Sequence, residues 1–178
     1  SISQIRSKAE AEIRQVRTAQ FYRDVEAMNA RIEEFIAECD SWLARLTAIE
    51  DDTRASETDY EQSGKTGEDY LRFAATLQQI RTSDTALADD AERLESEAKA
   101  LQNALFPLSL AAAELKLPFD APDRVEKAMD GMRARLKASL ENVLLPSLAA
   151  LGRAERTFNP DYERPIAAFE PEITGDSV

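Results

Sequence analysis

The sequence predicts an all-α protein: an elongated antiparallel helical bundle, or coiled-coil hairpin, of three long helices with an irregular C-terminal tail. The composition is that of helix formers, 43% hydrophobic and 31% charged, with five glycines in 178 residues. Apolar residues recur at alternate steps of three and four over long stretches, the 3.5-residue period of helices packed side by side. Glycines near residue 65 and prolines near residue 120 divide the chain into three such stretches.

The first helix is expected over residues 2–50. Phe21, Val25, Met28, Ile32, Phe35, Cys39, Trp42, Leu46 and Ile49 form its seam, and Ile36 and Leu43 widen it toward a bundle of three or more helices. Bulky Phe35 and Trp42 at d-type positions also disfavour a parallel dimer, which prefers Leu there. Upstream, Ile2, Ile5, Ala9, Ile13 and Val16 lie on another phase, so this end either packs on a different neighbour or bends. Residues 50–69 read as a turn. They hold eight acids against Arg54 and Lys65, little that is apolar except Tyr60, and Gly64 and Gly67. Thr66-Gly-Glu-Asp69 has the form of a capping box, with Thr66 as N-cap and Asp69 in place of the usual Glu. Ile49 and Tyr70 are three heptads apart, so a single uninterrupted rod is the competing reading.

The second helix, 68–116, has the clearest seam: Tyr70, Phe73, Leu77, Ile80, Asp84, Leu87, Ala91, Leu94, Ala98, Leu101, Leu105, Leu108, Ala112 and Leu115. Pro107 predicts a kink or break at 103–107, because it lacks an N–H and clashes with the preceding turn. The third helix, 122–157, follows Leu117-Pro-Phe-Asp-Ala-Pro122 and carries Val125, Met129, Met132, Leu136, Leu140 and Val143. Pro146 should kink or split it, and Gly152 helps to end it. One domain, 1–157, thus precedes an acidic, proline-containing tail, 158–178, with isolated apolar anchors Tyr162, Ile166, Phe169 and Ile173.

A net charge of −12 repels phosphate backbones and anionic lipid, so nucleic acid is disfavoured as a partner, and no apolar run is long enough to insert in a membrane. The mildly basic start, Arg6, Lys8, Arg14, Arg17 and Arg23 against Glu10, Glu12 and Asp24, is too slight to reverse this. A single cysteine needs no oxidising compartment, which favours the cytoplasm. The first residue is Ser, so a signal removed from a secreted or periplasmic protein stays open. The alanine- and arginine-rich style is that of a GC-rich bacterial or phage genome.

Histidine is absent, which removes Ser-His and Cys-His nucleophiles and histidine metal sites. Ser63-Gly64-Lys65-Thr66 ends like a phosphate-binding loop, but Asp59 stands where that motif needs glycine, so a polar turn with a helix cap is expected. Carboxylate pairs remain: Glu33-Glu34, Asp89-Asp90, Asp123 with Glu126, and Glu92 with Glu95. Glu92-Arg-Leu-Glu95 resembles the Glu-x-x-Glu half of the magnesium site of all-α nucleoside triphosphate pyrophosphohydrolases. In a chain with 34 acids the same spacing follows from composition, and solvated faces with pairs such as Glu95 and Lys99 are the expected reading. No cofactor or metal is assigned. Cys39, Trp42, Met28, Met129 and Met132 read as core.

Asp84 interrupts the seam between Ile80 and Leu87, as a loosely packed, exposed point, as a register or oligomer device paired with an Arg, or as a functional site. The expected function is a non-enzymatic protein–protein interaction or assembly component, whose helix faces suit helices of a protein partner or of further copies in a homo-oligomer. Its contacts would use helix faces and the acidic turn and tail. Asp51, Asp52, Glu57 and Asp59 in the turn, and Tyr162, Ile166, Phe169 and Ile173 in the tail, are the candidate partner-binding residues. A ligand-sensing bundle of an extracytoplasmic receptor, which needs an internal pocket, and a Mg²⁺-dependent all-α nucleotide hydrolase, which needs converging carboxylates, are the alternatives.

Overall fold

The computed structural model describes residues 1–158, and no strand occurs among them. Helix α1 spans Ile2–Gln62, α2 Gly67–Leu115 and α3 Ala121–Ser139; a π-helical turn, Leu140–Leu144, leads into α4, Leu145–Phe158. The all-α bundle class is as expected from the periodicity. The described residues divide into two compact units, Ser1–Glu38 with Leu94–Met129, and Cys39–Arg93 with residues 130–158.

In the first unit α1 and α2 run antiparallel, because Arg14 donates to the carbonyl of Leu115 and Arg17 pairs with Glu114 at 2.6 Å. Both guanidiniums thus lie at the C-terminal end of α2, where the helix dipole favours positive charge. Arg124 of α3 reaches Glu33 of α1 at 2.6 Å, and Gln102 of α2 donates to the carbonyl of Pro122 at 2.9 Å. Phe21, Ile32, Phe35, Leu101, Leu105, Val125 and Met129 fill the centre, and Phe21 meets Phe119 edge to face at 5.7 Å. A fully buried side chain of this size stabilises by about 1.5–3 kcal/mol, so the seam outweighs any surface pair.

In the second unit the indole N–H of Trp42 donates to the carbonyl of Leu87 at 2.8 Å, and Tyr60 stacks on Phe73 at 5.1 Å, again setting α1 antiparallel to α2. Glu50 pairs with Arg135, and Ser147 donates to Glu57 at 2.9 Å, so α3 and α4 follow α1 in the same direction. Phe158 closes the end of α4 against Tyr70, with ring centroids 5.5 Å apart.

The connection between α1 and α2 is much shorter than the composition of residues 50–69 suggests. α1 continues to Gln62 rather than ending near residue 50, and the turn is confined to residues 63–66, which also overturns the uninterrupted rod. The seam continues through Thr53 and Tyr60, both buried, and the Thr53 hydroxyl donates to the carbonyl of Ile49 at 2.7 Å, so a polar residue enters the core satisfied. Glu50, counted above with the acidic turn, is 6% exposed and held by Arg135. At the turn, Lys65 adopts φ 52° and Ser63 accepts the Lys65 N–H at 3.1 Å. Thr66 and Asp69 then form the expected reciprocal cap: the Thr66 N–H donates to Asp69 at 3.1 Å and the Asp69 N–H to the Thr66 hydroxyl at 3.2 Å.

α2 ends in a Schellman arrangement, with Lys116 at φ 56°, the Leu117 N–H on the carbonyl of Ala112 at 2.9 Å and the Lys116 N–H on that of Ala113 at 3.3 Å. Pro107 does not break α2. Its ring and Asn103 are exposed, so water can take the carbonyl that loses its donor, while Leu105 and Leu108 stay buried on either side. Pro146 acts as expected and splits the third helix: the Leu145 N–H reaches back five residues to the carbonyl of Leu140, widening the ladder into a π turn one residue before the proline. Gly152 does not end the helix; it is buried inside α4, which runs to Phe158.

Candidate functional site

Two surfaces of the described chain differ from an ordinary solvated helix face. The first is the start of α1. Ile2, Ile5, Ile13 and Val16 are 79%, 70%, 58% and 67% exposed, and Ala9 lies exposed between them. At 100° per residue these five positions fall within one narrow stripe, turned by roughly 120° from the direction of Phe21, Met28 and Ile32. α1 is continuous through this change of phase, so the helix does not bend into a separate element. Its first turns instead keep an apolar stripe in water. Arg14 and Arg17 are spent on the end of α2, whereas Arg6 and Lys8, beside the stripe, form no ion pair among the described residues. Phe106 and Leu110, one turn apart on α2, are a smaller exposed pair that the seam pattern does not reveal.

The second surface is a groove of about 370 Å³ between α1 and α2 in the second unit. Ile49, Tyr60, Phe73 and Ile80 form its floor, Ala55, Ser56, Ser63, Thr76 and Ser83 its small walls, and Asp52, Asp59, Asp69 and Arg72 its charged rim. No residue of α4 lines it, since α4 lies against Thr53, Leu77 and Asp84 instead. Asp69 is held below the usual carboxylate range, first by the backbone N–H of Thr66, then by its hydroxyl, with Arg72 adding a smaller attraction. Arg72 lies 3.4 Å from Asp69, which leaves Asp52 and Asp59 as uncompensated negative charge on the α1 side. Elsewhere in this unit Asp90 is likewise lowered, chiefly by its hydrogen bond from Arg45.

Of the candidate partner-binding residues, Asp51 is exposed beside Arg54, and Asp52 and Asp59 stand on the groove rim. Glu57 is turned toward α4 and accepts from Ser147. Tyr162, Ile166, Phe169 and Ile173 lie outside the described residues. Asp84 is 7% exposed, which overturns the loosely packed reading, and it shares with Arg81, Thr53, Leu144 and Leu148 a cleft of about 20 Å³. Such a space holds about one water and no metabolite.

The residues weighed for chemistry are occupied structurally. Ser63 and Thr66 spend their hydroxyls on helix ends, and Lys65 pairs with Glu61 at 3.0 Å. Among the described residues no three acidic or cysteine side chains converge as a metal site would require. Cys39, Trp42, Met129 and Met132 are buried as expected, and Met28 is half-buried. No described helix is long and apolar enough to cross a membrane. No family model, curated protein or solved structure matches this chain.

Proposed function

We propose that this chain is a non-enzymatic protein–protein interaction or assembly component that works by helix-face packing. The observation that carries this reading is the apolar stripe at the start of α1, where four large β-branched side chains stay more than half exposed while the seam of the same helix is buried. Single exposed apolar residues are ordinary, but a contiguous row with helical spacing marks a surface built to be covered. The acidic groove of the second unit supports the same reading, because an apolar floor inside a charged rim suits an amphipathic helix.

Photo-crosslinking in cells tests it. A photoreactive residue placed at Ala9 is expected to give protein adducts, and one at Asp40, on an exposed polar face, is expected to give none. Adducts at neither position would refute the reading.

A further inference from the structure

We propose that two copies of this chain pair antiparallel through the apolar stripe at the start of α1, about a two-fold axis at Ala9. This inference rests on the interaction reading above and names the partner as a second copy.

The stripe is a palindrome. Ile2 and Ile5 stand seven and four positions before Ala9, and Ile13 and Val16 stand four and seven positions after it. Two such helices laid antiparallel and centred on Ala9 set Ile2 against Val16, Ile5 against Ile13 and Ala9 against itself. Every large side chain then meets a large one, and the small residue falls at the centre, where it lets the two axes approach closely. The contact runs about 21 Å, fourteen steps of 1.5 Å. α2 ends at Leu115, where Arg14 and Arg17 hold it, and every residue from 1 to 17 is exposed. A second helix can therefore lie along this face without displacing anything in the first unit.

The charges beside the stripe set the direction. Arg6, Lys8, Glu10 and Glu12 sum to zero, and among the described residues none of the four forms an ion pair. At 100° per residue Arg6 and Glu10 stand on one side of the stripe, roughly 60° and 100° from its centre, and Glu12 and Lys8 stand at the same angles on the other. The two-fold axis of an antiparallel pair places each side beside its own copy. Arg6 then meets Glu10 of the second copy, and Lys8 meets Glu12, each pair about 3 Å apart along the helix axis. That gives four meetings of opposite charge. A parallel pair would bring Arg6 to Lys8 and Glu10 to Glu12, four meetings of like charge.

Both copies use the same patch, so the association closes at a dimer. About four helical turns from each copy fall short of a standard interface, which places the dissociation constant in the micromolar range or weaker.

Sedimentation velocity on the chain of residues 1–178 tests this, and the parent is expected to pass from monomer toward dimer between ~10 and ~500 µM. Arg6→Glu with Lys8→Glu gives an acidic start, and Glu10→Lys with Glu12→Lys gives a basic one; all four positions are exposed, and circular dichroism checks that both variants stay folded. Each variant alone is expected to self-associate at least about tenfold more weakly than the parent, because all four charge meetings change sign. An equimolar mixture of the two is expected to form a one-to-one dimer. Cysteines report the direction under mild oxidation, with the parent, whose Cys39 is buried, as control. Ala9→Cys is expected to link two copies, whereas Ile2→Cys is not, since the two positions 2 lie about 21 Å apart in the antiparallel pair. A parent that is monomeric throughout, a charge variant that self-associates like the parent, two folded variants that fail to complement each other, or Ile2→Cys linking as readily as Ala9→Cys would each overturn the proposal. Adducts at position 9 with a different protein in cells, alongside a monomeric parent, would overturn this inference and leave the interaction reading standing.

Discussion

Glu50 and Arg135 form an ion pair whose two halves are unequally buried, and that inequality predicts which half the fold can spare. The Glu50 side chain is 8% exposed and the Arg135 side chain 42%. Replacing Arg135 by Met keeps the aliphatic stem but leaves a carboxylate inside the bundle without its donor. Removing one partner of a buried pair costs about 3 kcal/mol or more, which for a chain of this size lowers the melting temperature by roughly 6–12 °C. Replacing Glu50 by Gln keeps the shape and an acceptor oxygen, and Arg135 keeps its access to water, so the loss is one charge-assisted hydrogen bond exchanged for a neutral one, about 1 kcal/mol. Changing both, Glu50→Leu with Arg135→Met, removes the stranded charge and is expected to fall within about 1 kcal/mol of the parent. Urea titration followed by fluorescence reads all three, because the protein has one tryptophan and Trp42 is buried in the same unit as the pair. The reasoning fails if Arg135→Met costs no more than Glu50→Gln.

Thr66→Ala removes the N-cap hydroxyl of α2 and is expected to lower stability by about 1 kcal/mol in the same titration. Lys116→Gly relieves a side chain from the left-handed region and is expected to raise it by about 1 kcal/mol. Asp69 and Asp90 have folded-state values below the ordinary 3.8, so the unfolded chain binds protons first as the medium is acidified. Their stabilisation is therefore present above that value and lost as pH falls through the folded values, and Asp69→Asn with Asp90→Asn should flatten the acid limb of a melting-temperature profile. Asp84→Leu is expected to change melting temperature and sedimentation; unchanged values for both would remove the register role for this buried carboxylate.

The seam of α2 was legible almost residue by residue, because every position except Tyr70 and Ala91 is buried, and Asp84 is buried with the rest. The capping box at Thr66 and the disturbance before Pro146 were legible for the same reason: each follows from local hydrogen-bonding chemistry that distant packing does not override. The end of α1 was not. Thr53, Ser56 and Tyr60 continue the seam with polar atoms, and a pattern read from apolar residues alone passes over a threonine that satisfies its own hydroxyl on the helix behind it. The groove was hidden by the same error, since half of its lining was assigned to a turn. Pro107 misled in the opposite direction: a proline on the solvent side of a long helix can leave its unpaired carbonyl to water, and sequence alone does not say which side it occupies.

The change of phase between Val16 and Phe21 has a genetic consequence. Each residue added to a helix rotates everything before it by 100° relative to everything after, and the stripe is turned from the core face by roughly 120°. Deleting one codon between Arg17 and Phe21 would therefore swing Ile2, Ile5, Ala9, Ile13 and Val16 to within about 20° of the seam, with no other side chain altered. The outward-facing surface of this helix and its inward-facing one are separated by a single reading-frame-preserving event, and a variant of that kind should stay folded while losing whatever the stripe contacts.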